Sequence, residues 1–249
     1  MAGLQSLVDA FEREEPAIGT TLKSVSPNVA EALGHTPLDF LFVDRQHGSP
    51  VYDGLEHIVR AADLNDLPVM VRIPKDDLRM ITYCLDIGVA GIMMPQIEDP
   101  ETVVEANKHV RFEDGRSIAT TSRAAEFGAR DREEYIDYVN EEVALIPQLE
   151  SETGVQQADA VAQLSETSAI AIGPGDLSKS LGASPGDDVV KDAIGDIFGA
   201  AEQNDCNAGI FIGDPDDIDH YSDDASFLVY NSDVGLLTSE PELALIRQM

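Results

Sequence analysis

The chain has 249 residues, 43% of them hydrophobic, and sets 16 Lys and Arg against 47 Asp and Glu, for a formal net charge of −31 and a pI near 4.1. That length accommodates one domain of the α/β-barrel kind over residues 1–249, and the composition supports a full core. A surface this acidic repels phosphates, which excludes nucleic acid and anionic membranes as partners.

The acid is spread through the helical segments, as in Asp131–Glu142 and Asp214–Asp219, alongside an intact apolar pattern, so it does not signal disorder. Near 1 M salt the Debye length falls to roughly 3 Å and crowded carboxylates stop repelling one another. The expectation is a protein of a high-salt cytoplasm, from a halophilic source. An unusually acidic enzyme of ordinary salt is the alternative.

The first 15 residues are amphipathic and acidic, without the basic start of a secretory signal. Strands are predicted near 17–24, 40–45, 68–74, 91–96, 143–149, 169–174, 207–213 and 227–231. Helical stretches lie between them at 51–65, 78–87, 100–110, 154–165 and 188–203, and a capped helix closes the chain at 238–249. Pro near the first turn marks helix starts at 26–28, 99–101 and 214–216. Eight strands alternating with helices imply a parallel sheet closed into a (β/α)8 barrel. An open doubly wound sheet is the fallback, but no G-x-G-x-x-G follows the first strand. One insert, Arg111–Asn140, breaks the spacing; long polar segments between barrel strands often face the substrate. Cys84 and Cys206 lack metal-type spacing, and no apolar run approaches the roughly 18 residues of a membrane span.

Several buried runs end in residues suited to chemistry, the arrangement of an α/β-barrel active site. Phe40–Val43 leads to Asp44 and His47, Val69–Val71 to Arg72, Val143–Gln148 to Glu150, and Ala169–Gly175 to Asp176. Glu150 and Asp176, as oxygen donors at adjacent strand ends, suit Mg2+ or Mn2+, although an acidic chain also places carboxylates at strand ends by composition alone. His47 beside a carboxylate can shuttle protons near neutral pH, or be structural. Arg72 needs an anion to offset its desolvation, either a protein carboxylate or a bound oxyanion. Gly-Pro-Gly at 173–175 offers backbone N–H groups to an anion, or is merely a tight turn. None of the five Lys residues ends a predicted strand, which argues against a Schiff-base route.

Together these segments resemble the HpcH/HpaI class II aldolase family from about Ile18 to Leu237. Phe40–His47 is similar to its Asp-x-Glu-His strand, Pro68–Pro74 to its V-x-R-x-P strand, Pro147–Ser151 to its Q-x-E-[ST] strand, and Ala171–Gly182 to its I-G-x-x-D-L-[SA]-x-S-L-G signature. Asn231–Leu237 resembles its last-strand loop.

The resemblance implies a metal-dependent aldolase that cleaves or forms a 4-hydroxy-2-oxo acid, giving pyruvate and an aldehyde through a metal-stabilised enolate. It implies Glu150 and Asp176 as ligands of Mg2+ or Mn2+, with Co2+ also admissible. His47, oriented by Asp44, would be the base, and Arg72 would stabilise the enolate oxygen. The N–H groups of Gly175 and Asp176 would hold the carboxylate, and Gln148 would line the pocket. A homo-oligomer, a trimer of dimers exchanging the C-terminal helix, is implied as well. Two positions depart from the motif: Gln46 stands where the family has Glu, and Arg45 precedes it. A CoA-ester lyase of the citrate-lyase-beta type and a non-catalytic oxo-acid-binding barrel are the competing readings.

Overall fold

The computed structural model describes residues 6–47, 53–75 and 77–239. Eight parallel strands close into a barrel in sequence order: β1 (Ala17–Thr21), β2 (Phe40–Asp44), β3 (Val69–Arg72), β4 (Gly91–Met94), β5 (Ala144–Leu149), β6 (Ala169–Ile172), β7 (Asn207–Ile212) and β8 (Phe227–Ser232). Helix α1 (Leu7–Phe11) precedes β1. Helices α2 (Pro27–Leu33), α3 (Asp53–Asp63), α4 (Arg79–Asp86) and α5 (Glu101–Val110) follow β1 to β4 in turn, and α6 (Arg132–Glu141) precedes β5. Then α7 (Glu152–Gln156) and α8 (Ala158–Ala162) follow β5, α9 (Pro174–Ser180) and α10 (Asp188–Gln203) follow β6, α11 (Asp216–Tyr221) follows β7, and α12 (Asp233–Ser239) follows β8.

All eight expected strands are present, and the expected (β/α)8 barrel is the fold. The helix expected at 154–165 is two short ones, its start moved to Glu152 by the Ser151 hydroxyl, which accepts from the Gly154 N–H. The terminal helix expected at 238–249 lies outside the described residues beyond Ser239. Among the described residues no helix is long and apolar enough to cross a membrane.

Apolar side chains fill two shells, one between strands and helices and one inside the barrel. The inner shell is narrow, and glycine makes room for its aromatics. A Cβ on Gly19 would lie 2.3 Å from the Phe40 ring, and one on Gly209 would lie 2.4 Å from Phe227. Helix α1 stoppers the strand-start end. Phe11 stacks on Phe227 with centroids 4.7 Å apart and meets Phe40 edge-on at 6.4 Å, while Leu7 fills the space over Gly91.

The insert does not face the substrate end within the chain. Arg116 pairs with Asp86 at 2.7 Å, the Ala124 N–H donates to the Asp86 carbonyl, and Arg123 pairs with Asp63 and donates to the Ile87 carbonyl. Asp63 and Asp86 end α3 and α4, on the face where strands begin. The segment follows a helix rather than a strand, so it emerges on that face. The expectation of a substrate-facing loop is corrected accordingly.

Candidate active site

Parallel pairing in register puts Asp44, the last residue of β2, beside Arg72, the last residue of β3. Arg72 Nε donates to Asp44 Oδ1 at 3.0 Å and Nη2 to Oδ2 at 2.5 Å, while Nη1 donates to Gln148 Oε1 on β5 at 3.1 Å. Only 11% of the Arg72 side chain and 14% of the Asp44 side chain are exposed. The guanidinium carbon also sits 5.8 Å from the ring centroids of both Phe42 and Phe211. Burial raises the Asp44 pKa. The bonds and charge of Arg72, with the N–H groups of His47 and Gln46, outweigh it and hold the carboxyl below its ordinary value.

Glu150 follows β5 and is 3% exposed. Its Oε1 accepts the Gln96 N–H at 3.0 Å, delivered by a left-handed turn after β4 with Gln96 φ at 54°. Gly173, just past β6, leaves the necessary space: a Cβ there would lie 2.7 Å from both Gln148 Nε2 and Glu150 Oε2. Burial pushes the Glu150 carboxyl up to about 7. Arg72 pulls it down, Asp176 pushes it up, the Gln96 N–H pulls it down and Asp44 pushes it up. Asp176 is exposed in the first turn of α9, where Pro174 sets the helix start and the Gly175 and Asp176 N–H groups precede the first intrahelical bonds.

Among the described residues no group of three or more His, Cys, Asp or Glu is placed to hold a metal, and the candidate donors at this rim are the two carboxylates of Glu150 and Asp176. That pair fits a hard divalent cation. Glu150 is buried and Asp176 repels it, two penalties that a bound cation would relieve.

His47 is exposed and lines a cleft of about 500 Å³ with Lys23, Phe42, Asp44, Arg72 and Phe211. Asp44 reaches it through the main chain, Oδ1 accepting the His47 N–H at 3.2 Å and the Gln46 N–H at 2.9 Å. Both carboxylate oxygens also take up Arg72, so Asp44 fixes the turn that carries the imidazole rather than the ring itself. Gln46 leaves its buried Oε1 without a hydrogen-bond partner among the described residues. A second depression of about 400 Å³, between α10 and α11, lies outside the barrel mouth and holds no strand-end carboxylate.

The structure thus gathers Asp44, Arg72 and Gln148 into one network and sets Glu150 and Asp176 beside it. Sequence reasoning missed Lys23, which stands two residues past β1 and lines the cleft, contrary to the expectation that no Lys occupies a strand end. It also missed the Gln96 N–H, whose signal, a positive φ, is invisible in the sequence.

The profile described as HpcH/HpaI aldolase/citrate lyase matches residues 18–238. The chain is 28% identical to 2-dehydro-3,6-dideoxy-6-sulfogluconate aldolase of Pseudomonas putida, over 95% of this chain and 94% of that protein. It is 31% identical to hydroxypyruvate/pyruvate aldolase of Paraburkholderia phytofirmans, over 84% and 83%. A solved HpcH/HpaI aldolase/citrate lyase family protein from Burkholderia cenocepacia J2315 superposes with a TM-score of 0.89 at 30% identity, covering 97% of this chain and 98% of that one. With a barrel, a rim network and a profile match over most of its length, the chain belongs to the HpcH/HpaI aldolase/citrate lyase family and is a carbon–carbon lyase of the aldolase kind.

Proposed function

We propose that the enzyme reversibly cleaves a 4-hydroxy-2-oxo acid into pyruvate and an aldehyde, with a divalent cation held by Glu150 and Asp176. The observation that carries this reading is the shared rim. A half-buried Arg72, anchored by Asp44 and Gln148, stands beside a buried carboxylate whose pKa is about 7. The names of the aldolases to which the chain is similar support the same product class.

When bound, Mg2+ or Mn2+, with Co2+ admissible, draws electron density from the 2-oxo group. The N–H groups of Gly175 and Asp176 receive the substrate carboxylate. Arg72 faces the 2-oxo oxygen and stabilises the negative charge that develops there. His47, through a water, takes the 4-hydroxyl proton, so the C3–C4 bond breaks as the aldehyde carbonyl forms. The electron pair passes to C3 as an enolate, which a proton converts to pyruvate. Phe42 and Phe211 exclude water from one side of the guanidinium.

The charge of −31 supports operation in a high-salt cytoplasm, and the family resemblance supports a homo-oligomer. Pyruvate release from a panel of 4-hydroxy-2-oxo acids, with Mg2+ or Mn2+ and then with chelator, tests the reading. Release expected with metal and abolished by chelator supports it; full activity in metal-free enzyme overturns the metal-dependent part.

A further inference from the structure

Arg72 lines the cleft, bonded to Gln148 and close to the Glu150 carboxylate, but the exposed mouth carries a second cation with no assigned task. Lys23 is exposed there, and no ion pair of its ammonium occurs among the described residues. Asp44, the carboxylate lining the same cleft, is already committed to Arg72.

The main chain at Lys23 is held. Asp233, buried at the start of α12, accepts the Lys23 N–H at 2.8 Å through Oδ1 and the Ser24 N–H at 3.1 Å through Oδ2. This bond pair ties the end of β1 to the end of β8 across the barrel closure. Val25 follows at φ 51°, a left-handed conformation that a β-branched residue adopts only where its surroundings impose it, and it lines the cleft as well. The turn is therefore set before substrate arrives, and the Lys23 side chain starts from a fixed point at the rim.

Electrostatics gives that placement a use. A protein of net charge −31 repels anions, so a substrate with a second negative charge needs a local cation where that charge enters. With its 2-oxo acid end at Arg72 and the first turn of α9, a substrate directs its opposite end to the mouth. We propose that Lys23 binds a second carboxylate on the aldehyde side of the substrate, which makes the enzyme selective for dianionic 2-oxo acids. This rests on the aldolase reading above. Exposure argues against Lys23 as a Schiff-base nucleophile, because such a lysine is activated by desolvation or a neighbouring cation.

Calorimetric binding at fixed ionic strength, with Mg2+ present, tests the proposal without turnover. The probes are 2-oxoglutarate and 2-oxoadipate, each against the neutral-tailed 2-oxo acid of equal carbon count, 2-oxopentanoate and 2-oxohexanoate. The wild type should bind at least one dicarboxylate about tenfold tighter than its neutral match. Lys23→Met should remove the preference without changing affinity for the neutral acids, and Lys23→Arg should keep most of it. Equal binding of both matched pairs by the wild type overturns the proposal, as does a preference that survives Lys23→Met. Borohydride reduction in the presence of pyruvate that leaves a covalent adduct on Lys23 overturns it too. A parallel pyruvate-release assay separates the two readings. Absent release with the preference intact removes the aldolase reading alone, and release with no preference removes the Lys23 assignment alone.

Discussion

Arg72 and Asp44 are register partners on adjacent parallel strands, and their side chains meet in two parallel N–H···O bonds while the third Arg72 nitrogen reaches Gln148. The fork holds the guanidinium face at a fixed angle to the cleft. Asp44→Asn should cost about 3 kcal/mol of stability in denaturant titration at pH 7, because it leaves a half-buried cation short of its counter-charge. The Asp44 carboxyl is depressed in the fold, so its contribution is present above its unfolded value and fades as pH falls through the folded one. The gap between variant and wild type should therefore narrow in acid. A gap independent of pH would refute the ion-pair account.

Arg72→Lys keeps the charge and loses the fork. It should lower kcat/KM by at least about tenfold, since an ammonium cannot hold Asp44, Gln148 and a substrate oxygen in one plane. Steady-state kinetics with unchanged kcat/KM would show that only the charge matters.

Glu150 gives a pH signature in the metal-free protein. Its carboxyl titrates near 7 in the fold against an ordinary 4.5, so ionising it destabilises the fold progressively as pH rises from about 4.5 to above 7. The full penalty is roughly 3 kcal/mol at pH 8, at 1.36 kcal/mol per unit. With chelator present, Glu150→Gln should melt higher than wild type at pH 8, and the difference should vanish near pH 4.5. Identical pH profiles for the two proteins would contradict the buried-carboxylate assignment.

His47→Ala should lower kcat by about 10²–10⁴-fold while metal affinity, read by titration calorimetry, stays close to wild type. A variant that no longer binds metal would place His47 among the ligands instead of the proton-transfer groups.

Salt should stabilise the fold. Debye screening tightens from about 10 Å at 0.1 M to 3 Å at 1 M, so molar KCl should remove most of the self-repulsion of 47 carboxylates set against 16 basic groups. Thermal scans and light scattering from 0.1 M to molar KCl should show both melting temperature and oligomer size rising. A flat melting temperature would reject the high-salt reading and leave the chemistry untouched.

Most of the strands were legible as apolar runs buried on both faces, and Phe40–Asp44 shows how such a run also announces the residue at its end. Asp44, Arg72, Gln148 and Glu150 could be read for that reason. The partnership of Asp44 with Arg72 could not, because it depends on register between strands whose paired residues lie 28 apart in sequence. The insert was misplaced because its polarity says loop, while only the element before it, α5, says which end of the barrel it leaves from. Lys23 was overlooked since a predicted strand reaching 24 hid the turn that Asp233 imposes.

With Leu7 and Phe11 stoppering the strand-start end and apolar side chains filling the barrel interior, the cleft at the strand ends is closed from below, so whatever enters it leaves by the same side. On the proposed reaction the fragment held at Arg72 lies behind the one nearer Lys23, so the aldehyde should depart first and pyruvate last. Pyruvate should then inhibit competitively against the full-length substrate, whereas the aldehyde should inhibit noncompetitively.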